Sequence, residues 1–176
     1  MKKYCLMFLS FLILIAGFLG ANIKETKTEY LRIHIRADSN DEKDQAVKYK
    51  VKDAVVNFLT PIIADCTDKA QAERALSSNL SRIESVADSV LKSNGFDYKS
   101  TAAINNEKFP TRNYGELTLN CGYYDALIIN LGSGKGDNWW CVVYPPLCFT
   151  DAGTNYVYKS KIYEIIKKFF NEKENI

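Results

Sequence analysis

The chain has 176 residues, 47% hydrophobic and 25% charged, with 23 Lys and Arg against 21 Asp and Glu. That length is enough for one compact domain with a real core. The near-balanced, interspersed charge argues against nucleic acid or an anionic lipid surface as an electrostatic partner, leaving recognition by shape and local chemistry. In chain order, Met1-Lys2-Lys3 precedes a nearly unbroken apolar run from Tyr4 to Leu19, followed by Gly20-Ala21 and polar Asn22. A basic start ahead of an apolar core is the pattern that enters the export machinery. The run is shorter than the ~20 residues a spanning helix needs, which favours a removable signal over a permanent anchor. Residues 1–21 therefore read as a signal peptide or signal anchor, and residues 22–176 as a single exported domain.

Leu31-Arg32-Ile33-His34-Ile35-Arg36 alternates apolar and polar side chains strictly, the period of a half-buried strand. Leu31, Ile33 and Ile35 are expected to face a core, and Arg32, His34 and Arg36 the opposite side. Ser39 and Glu42 have capping-box spacing, so a helix should start there. Val47, Val51, Val55, Phe58 and Ile62 continue it as one apolar stripe, and Pro61 marks disruption near its end. Thr67-Asp68 opens a second helix, with Ala72, Leu76, Leu80, Ile83, Ala87 and Val90 inward, until Ser93-Asn94-Gly95 stops it. From Phe96 the period becomes two, and Asn105-Asn106-Glu107-Lys108 is expected to turn the chain. Strand-like runs follow at Glu116 to Asn120, Tyr124 to Leu131 and Trp139 to Tyr144, and a last helix from about Lys159 to Asn171. The expected fold class is α+β: a largely antiparallel sheet packed against helices as a two-layer sandwich.

Four cysteines lie in the exported segment: Cys66, Cys121, Cys141 and Cys148. Four allow three disulfide connectivities. Cys141 with Cys148 is the expected pair, because Pro145-Pro146 between them turns the chain; the alternative is a set of buried free thiols. His34 is the sole histidine, which excludes a histidine-rich metal site, and on the polar face of a strand it reads as a surface or edge residue. No C-x-x-C spacing suggests zinc or redox chemistry, and neither metal nor cofactor is expected. Gly132-Ser133-Gly134-Lys135-Gly136 could cradle an anion, yet a Walker loop needs Ser or Thr after its Lys and Gly five residues before it. Those positions are Gly136 and Asn130, so a flexible hairpin is the better reading.

Three clusters stand out. Arg32 to Ser39 spans a strand-to-helix junction; Phe109-Pro-Thr-Arg-Asn-Tyr-Gly115 is a Pro-led turn carrying Arg112 and Tyr114; Asn138-Trp-Trp-Cys141 places both tryptophans side by side. Adjacent strand residues point to opposite faces, so one Trp is expected in the core and the other accessible. With Asp44 to Val55, Gly134 to Cys141 and Pro145-Pro-Leu-Cys148, these clusters resemble the stage II sporulation protein R family over essentially the whole exported chain. The chain departs from that pattern at Asp38, where Asn is usual, and near Cys121-Gly122, where a Pro-x-Gly is usual.

The resemblance implies a protein of endospore formation, exported from the forespore into the intermembrane space. It further implies activation of a membrane-embedded aspartic protease that processes the precursor of sporulation sigma factor E, with no enzyme activity of its own. The residues expected to touch that receptor are Arg36, Arg112, Tyr114, Trp139 and Trp140. Rival readings are a wall- or lipid-binding module built on the two tryptophans, and a secreted hydrolase using Asp38, Glu116 or His34.

Overall fold

The first strand forms where alternation is strictest, and its partners are set by which neighbouring segments offer β-branched and aromatic residues on both faces. In the computed structural model, which describes residues 29–115, 117–150 and 156–174, β1 is Leu31–Arg36. It is followed by helices α1 (Glu42–Ala64), α2 (Lys69–Ser77) and α3 (Leu80–Ser93). Then come strands β2 (Ser100–Phe109), β3 (Arg112–Tyr114), β4 (Leu117–Leu119), β5 (Gly122–Leu131) and β6 (Asn138–Tyr144). A short 3₁₀ turn at Leu147–Phe149 and helix α4 (Tyr156–Glu174) close the described chain. The expected signal segment and Glu116 lie outside the described residues. Among the described residues no helix is long and apolar enough to cross a membrane.

Four strands form one sheet in the order β2-β5-β1-β6, and β3 pairs with β4 as a separate two-stranded ribbon. β1 runs parallel to β5 and antiparallel to β6, while β2 and β5 are antiparallel along ten residue pairs from Ser100 opposite Leu131 to Phe109 opposite Gly122. The fold is therefore α+β, with two of the three main pairings antiparallel. Leu31, Ile33, Ile35, Leu127, Ile129 and Leu131 pack with Val47, Val51, Val55, Leu59 and Ile63 of α1 and with Leu76, Ile83 and Leu91 from α2 and α3. All the helices lie on that face; the opposite face buries a smaller cluster of Phe109, Tyr124, Ala126 and Ile128.

Several local expectations need correction. Asn105 to Lys108 do not turn: they continue β2, because ten-residue pairing with β5 outweighs the low strand propensity of two asparagines. The outer edge of β2 is blunted at its start, where the Asp88 and Glu84 carboxylates accept from the Ser100 and Ala102 amides at 2.7 and 2.8 Å. The single helix expected after Asp68 is two helices, broken at Ser78-Asn79, where short polar side chains compete for the backbone: Ser78 donates to the Ala75 carbonyl, and so does Asn79. The Ser39–Glu42 capping box does not form. Ser39 instead accepts from the Asp41 amide and donates to the Asp44 carboxylate. α1 runs through Pro61 to Ala64, since Ile63 and Ala64 are still buried there. β5 and β6 are not a hairpin, because β1 lies between them and the glycine-rich run crosses over its end.

Candidate functional site

The face of the sheet away from the helices carries the unusual chemistry. Alternation along β1 sends Arg32, His34 and Arg36 there together, and β1 is an interior strand flanked by β5 and β6. His34 is thus neither a surface nor an edge residue, and both Arg32 and His34 are fully buried. Arg32 lies against the rings of Phe109 at 4.2 Å, Tyr124 at 4.8 Å and Tyr114 at 5.8 Å, and donates one hydrogen bond, 2.8 Å, to the Tyr114 hydroxyl. Its Nε and Nη1 have no partner among the described residues.

His34 stacks on Trp140 at 4.7 Å between ring centroids and tilts against Phe109 at 5.2 Å. Its Nε2 is 3.3 Å from a Glu107 carboxylate oxygen, yet neither ring nitrogen makes a hydrogen bond. That carboxylate is held by Arg36 at 2.5 Å, and Arg36 also donates to Asn130 at 3.3 Å. Burial, and then the Arg36 and Arg32 charges, lower the His34 pKa to about 3. The imidazole is therefore neutral, and the proximity to Glu107 is not an ion pair.

The far end of β1 is built by the crossover. Asp38 accepts from the Ser133 amide at 2.5 Å, and the Gly136 amide donates to the Ala37 carbonyl at 2.8 Å. Asn40 accepts from the Asp137 amide at 2.7 Å, and the buried Lys48 ammonium donates to the Asp137 carbonyl at 2.9 Å. Burial lowers the Lys48 pKa, while the Asp137 charge opposes that shift. Gly132 has φ +56°, and a Cβ there would strike the Asp38 carboxylate; at Gly136 it would strike the Ser39 carbonyl. The glycines thus let this loop seat on the β1–α1 junction, so its amides serve the fold in place of an anion.

Of the five residues expected to bind a partner, Arg36, Tyr114 and Trp140 converge on the face of Arg32 and His34. Arg112 is exposed on the β3–β4 ribbon above it. Trp139 points to the helical side, packed against the main core with Lys52 over its ring at 5.9 Å. Both tryptophans are half-buried on opposite faces, so they do not form one paired aromatic groove. Cys141 and Cys148 are joined as a disulfide across a Cα–Cα distance of 6.0 Å, Cys66 is a buried thiol and Cys121 an exposed one. Burial raises the Cys66 pKa, and the thiol borders a cavity of about 300 Å³ between the end of α1 and α4, away from the β1 residues. Among the described residues no group of three or more His, Cys, Asp and Glu could hold a metal.

Sequence reasoning misses Glu107 and Tyr124, and it names Arg32 and Phe109 only as members of the clusters, not as part of the site. The signal for Arg32 was present, because a cation on a strand that alternates this strictly faces whatever covers the second side. The covering rings arrive from β2, β3 and β5, and no local period reports that.

A family model described as Stage II sporulation protein R (spore_II_R) matches residues 27–154, which take in β1 to β6, α1 to α3 and the disulfide. The stage II sporulation protein R of Bacillus subtilis (strain 168) is 31% identical over 173 residues, an alignment spanning 92% of this chain and 77% of that protein. No solved structure matches the chain.

Proposed function

The chain belongs to the stage II sporulation protein R family and is a sporulation protein; on that premise we propose that it is a secreted signal that activates the membrane-embedded aspartic protease processing the sigma factor E precursor. In this reading residues 1–21 direct export from the forespore, and residues 22–176 act in the intermembrane space as one signalling domain. The observation that carries the binding part is the arginine- and aromatic-rich sheet face. Arg36, Tyr114 and Trp140 surround it, and exposed Arg112 stands on the ribbon above. Arg, Tyr and Trp are the residue types that anchor interfaces.

The same geometry supports a role without catalysis. A general base must reach the proton it removes. The sole histidine is enclosed between rings, and the Glu107 carboxylate beside it is held by Arg36. Asp38, a candidate acid, accepts from the Ser133 amide. Activation then follows from differential affinity: the domain binds the active arrangement of the protease more tightly than the inactive one and shifts its population.

The test is reconstitution. The full chain, the protease and the sigma factor precursor are co-expressed in cells that do not sporulate, and precursor cleavage is followed. Cleavage that needs both the chain and its export is the expected result. Cleavage that is independent of the chain, or undiminished when residues 2–20 are deleted and the protein stays in the cytoplasm, refutes the proposal.

A further inference from the structure

Arg32 is a buried cation without a counter-anion among the described residues. A guanidinium carries five N–H donors, and here one bond is made, to the Tyr114 hydroxyl. Nε and Nη1 are enclosed and unpartnered, and no described residue forms an ion pair with Arg32. The acid on this face, Glu107, is taken by Arg36. Three aromatic rings offset part of the cost of burying the charge, but an unpaired charge in such surroundings is strongly unfavourable unless something else compensates. Neutral His34 adds no second positive charge, so the site balances a single negative one.

The cover over Arg32 is also unusual. Tyr114 belongs to the β3–β4 ribbon, which pairs only with itself and not with the main sheet. Bonds at the ribbon's base tie it down: the Cys121 amide donates to Thr111, and Tyr124 donates to the Asn120 carbonyl. Its outer positions Arg112, Asn113 and Thr118 are exposed. Lifting the ribbon about its base would uncover the guanidinium, break its hydrogen bond and ring contact to Tyr114, and expose Leu119, which is buried in β4.

We propose that Arg32 is the receptor for a carboxylate on an acidic segment of the partner protein, which takes the place of the Tyr114 hydroxyl when the β3–β4 ribbon lifts. A planar carboxylate matches the guanidinium fork and its single charge, and the flanking rings suit a flat group, whereas a phosphate dianion would leave excess negative charge in the slot. The inference names the partner chemistry of the binding face proposed above and rests on that reading.

The probe is a hexaglutamate peptide added to the full chain in mild detergent at fixed ionic strength, with hexaglutamine and inorganic phosphate as comparisons. Replacing Trp139 by Phe leaves Trp140, which stacks beside the site, as the sole tryptophan reporter. Saturable binding of the glutamate peptide is expected, weakened by about thirtyfold or more in Arg32→Met, the change typical of truncating a buried charge partner. Tyr114→Phe removes the competing hydroxyl and should tighten binding. Equal binding by Arg32→Met, equal binding of hexaglutamine or phosphate, or no binding at all would overturn the proposal. If Arg32→Met does not fold, Tyr114→Phe decides, and unchanged or weaker binding by that variant overturns it. The two readings fail separately. A chain that binds the peptide through Arg32 but triggers no cleavage refutes the activator function alone, whereas a folded Arg32→Met chain that triggers cleavage normally refutes the carboxylate site alone.

Discussion

Acidification should destabilise this protein through one residue, and the size of the effect follows from where His34 sits. Its folded pKa is lowered from 6.5 to about 3 by burial first and then by the Arg36 and Arg32 charges. A depressed histidine pKa means that the unfolded chain takes up the proton first as pH falls. The contribution is therefore complete above pH 6.5 and is lost progressively through the window from 6.5 down to about 3. Between pH 7.5 and 5.0 the linkage amounts to ~2 kcal/mol. The assay is urea unfolding of the wild type and His34→Phe at both pH values, followed by tryptophan fluorescence. Phe keeps a ring between Trp140 and Phe109 and carries no proton. Because the chain has one histidine, the difference between the two proteins isolates it: the wild type should lose ~2 kcal/mol more than His34→Phe on acidification. If instead the wild type gains stability in acid relative to His34→Phe, the 3.3 Å approach to Glu107 is an ion pair, and the reasoning from burial is wrong.

Other perturbations test the frame around the site. Replacing Cys141 and Cys148 by Ser removes a bridge between residues seven apart, and the closed-loop entropy predicts a loss of ~2–3 kcal/mol in chemical denaturation, absent when both proteins are measured under reductant. Gly136→Ala forces a Cβ into the Ser39 carbonyl and the Ala37 side chain, so urea unfolding should show a loss of about 1–3 kcal/mol; an unchanged midpoint would mean that the crossover does not seat on the β1–α1 junction. In the cleavage assay, Arg112→Ala should weaken activation by the ~2 kcal/mol typical of an interface anchor, with its melting temperature unchanged, because the side chain is exposed. Trp140→Ala should lower activation, whereas Trp139→Ala, on the helical side, should lower stability with activation per folded molecule retained.

The parts of this fold legible in the sequence are those whose cause is local. Alternation in Leu31–Arg36 and the three-and-four spacing of Val47, Val51, Val55, Phe58 and Ile62 each report a single element and its core-facing side, and both sides are as read. The misread positions are those where a distant partner decides. Asn105 to Lys108 carry turn residues, yet β5 supplies a partner for each of them, and a paired strand overrides weak propensity. Gly132 to Asn138 looked like a hairpin because the strands on either side of it are consecutive in sequence; β1, a hundred residues earlier, occupies the place between them. The candidate site was half legible for the same reason. Arg36, Arg112, Tyr114 and Trp140 can be singled out by residue type, but the burial of the two residues they surround cannot. Arg32 and His34 have the polar character of a solvated face. What buries them comes from Phe109, Tyr114, Tyr124 and Trp140, on four other strands. A period-two pattern says which side chains share a face, and the residues that cover the face determine whether it is a surface. Here the basic stripe of β1 is a buried polar centre and not a wet edge, because rings from four other strands cover it.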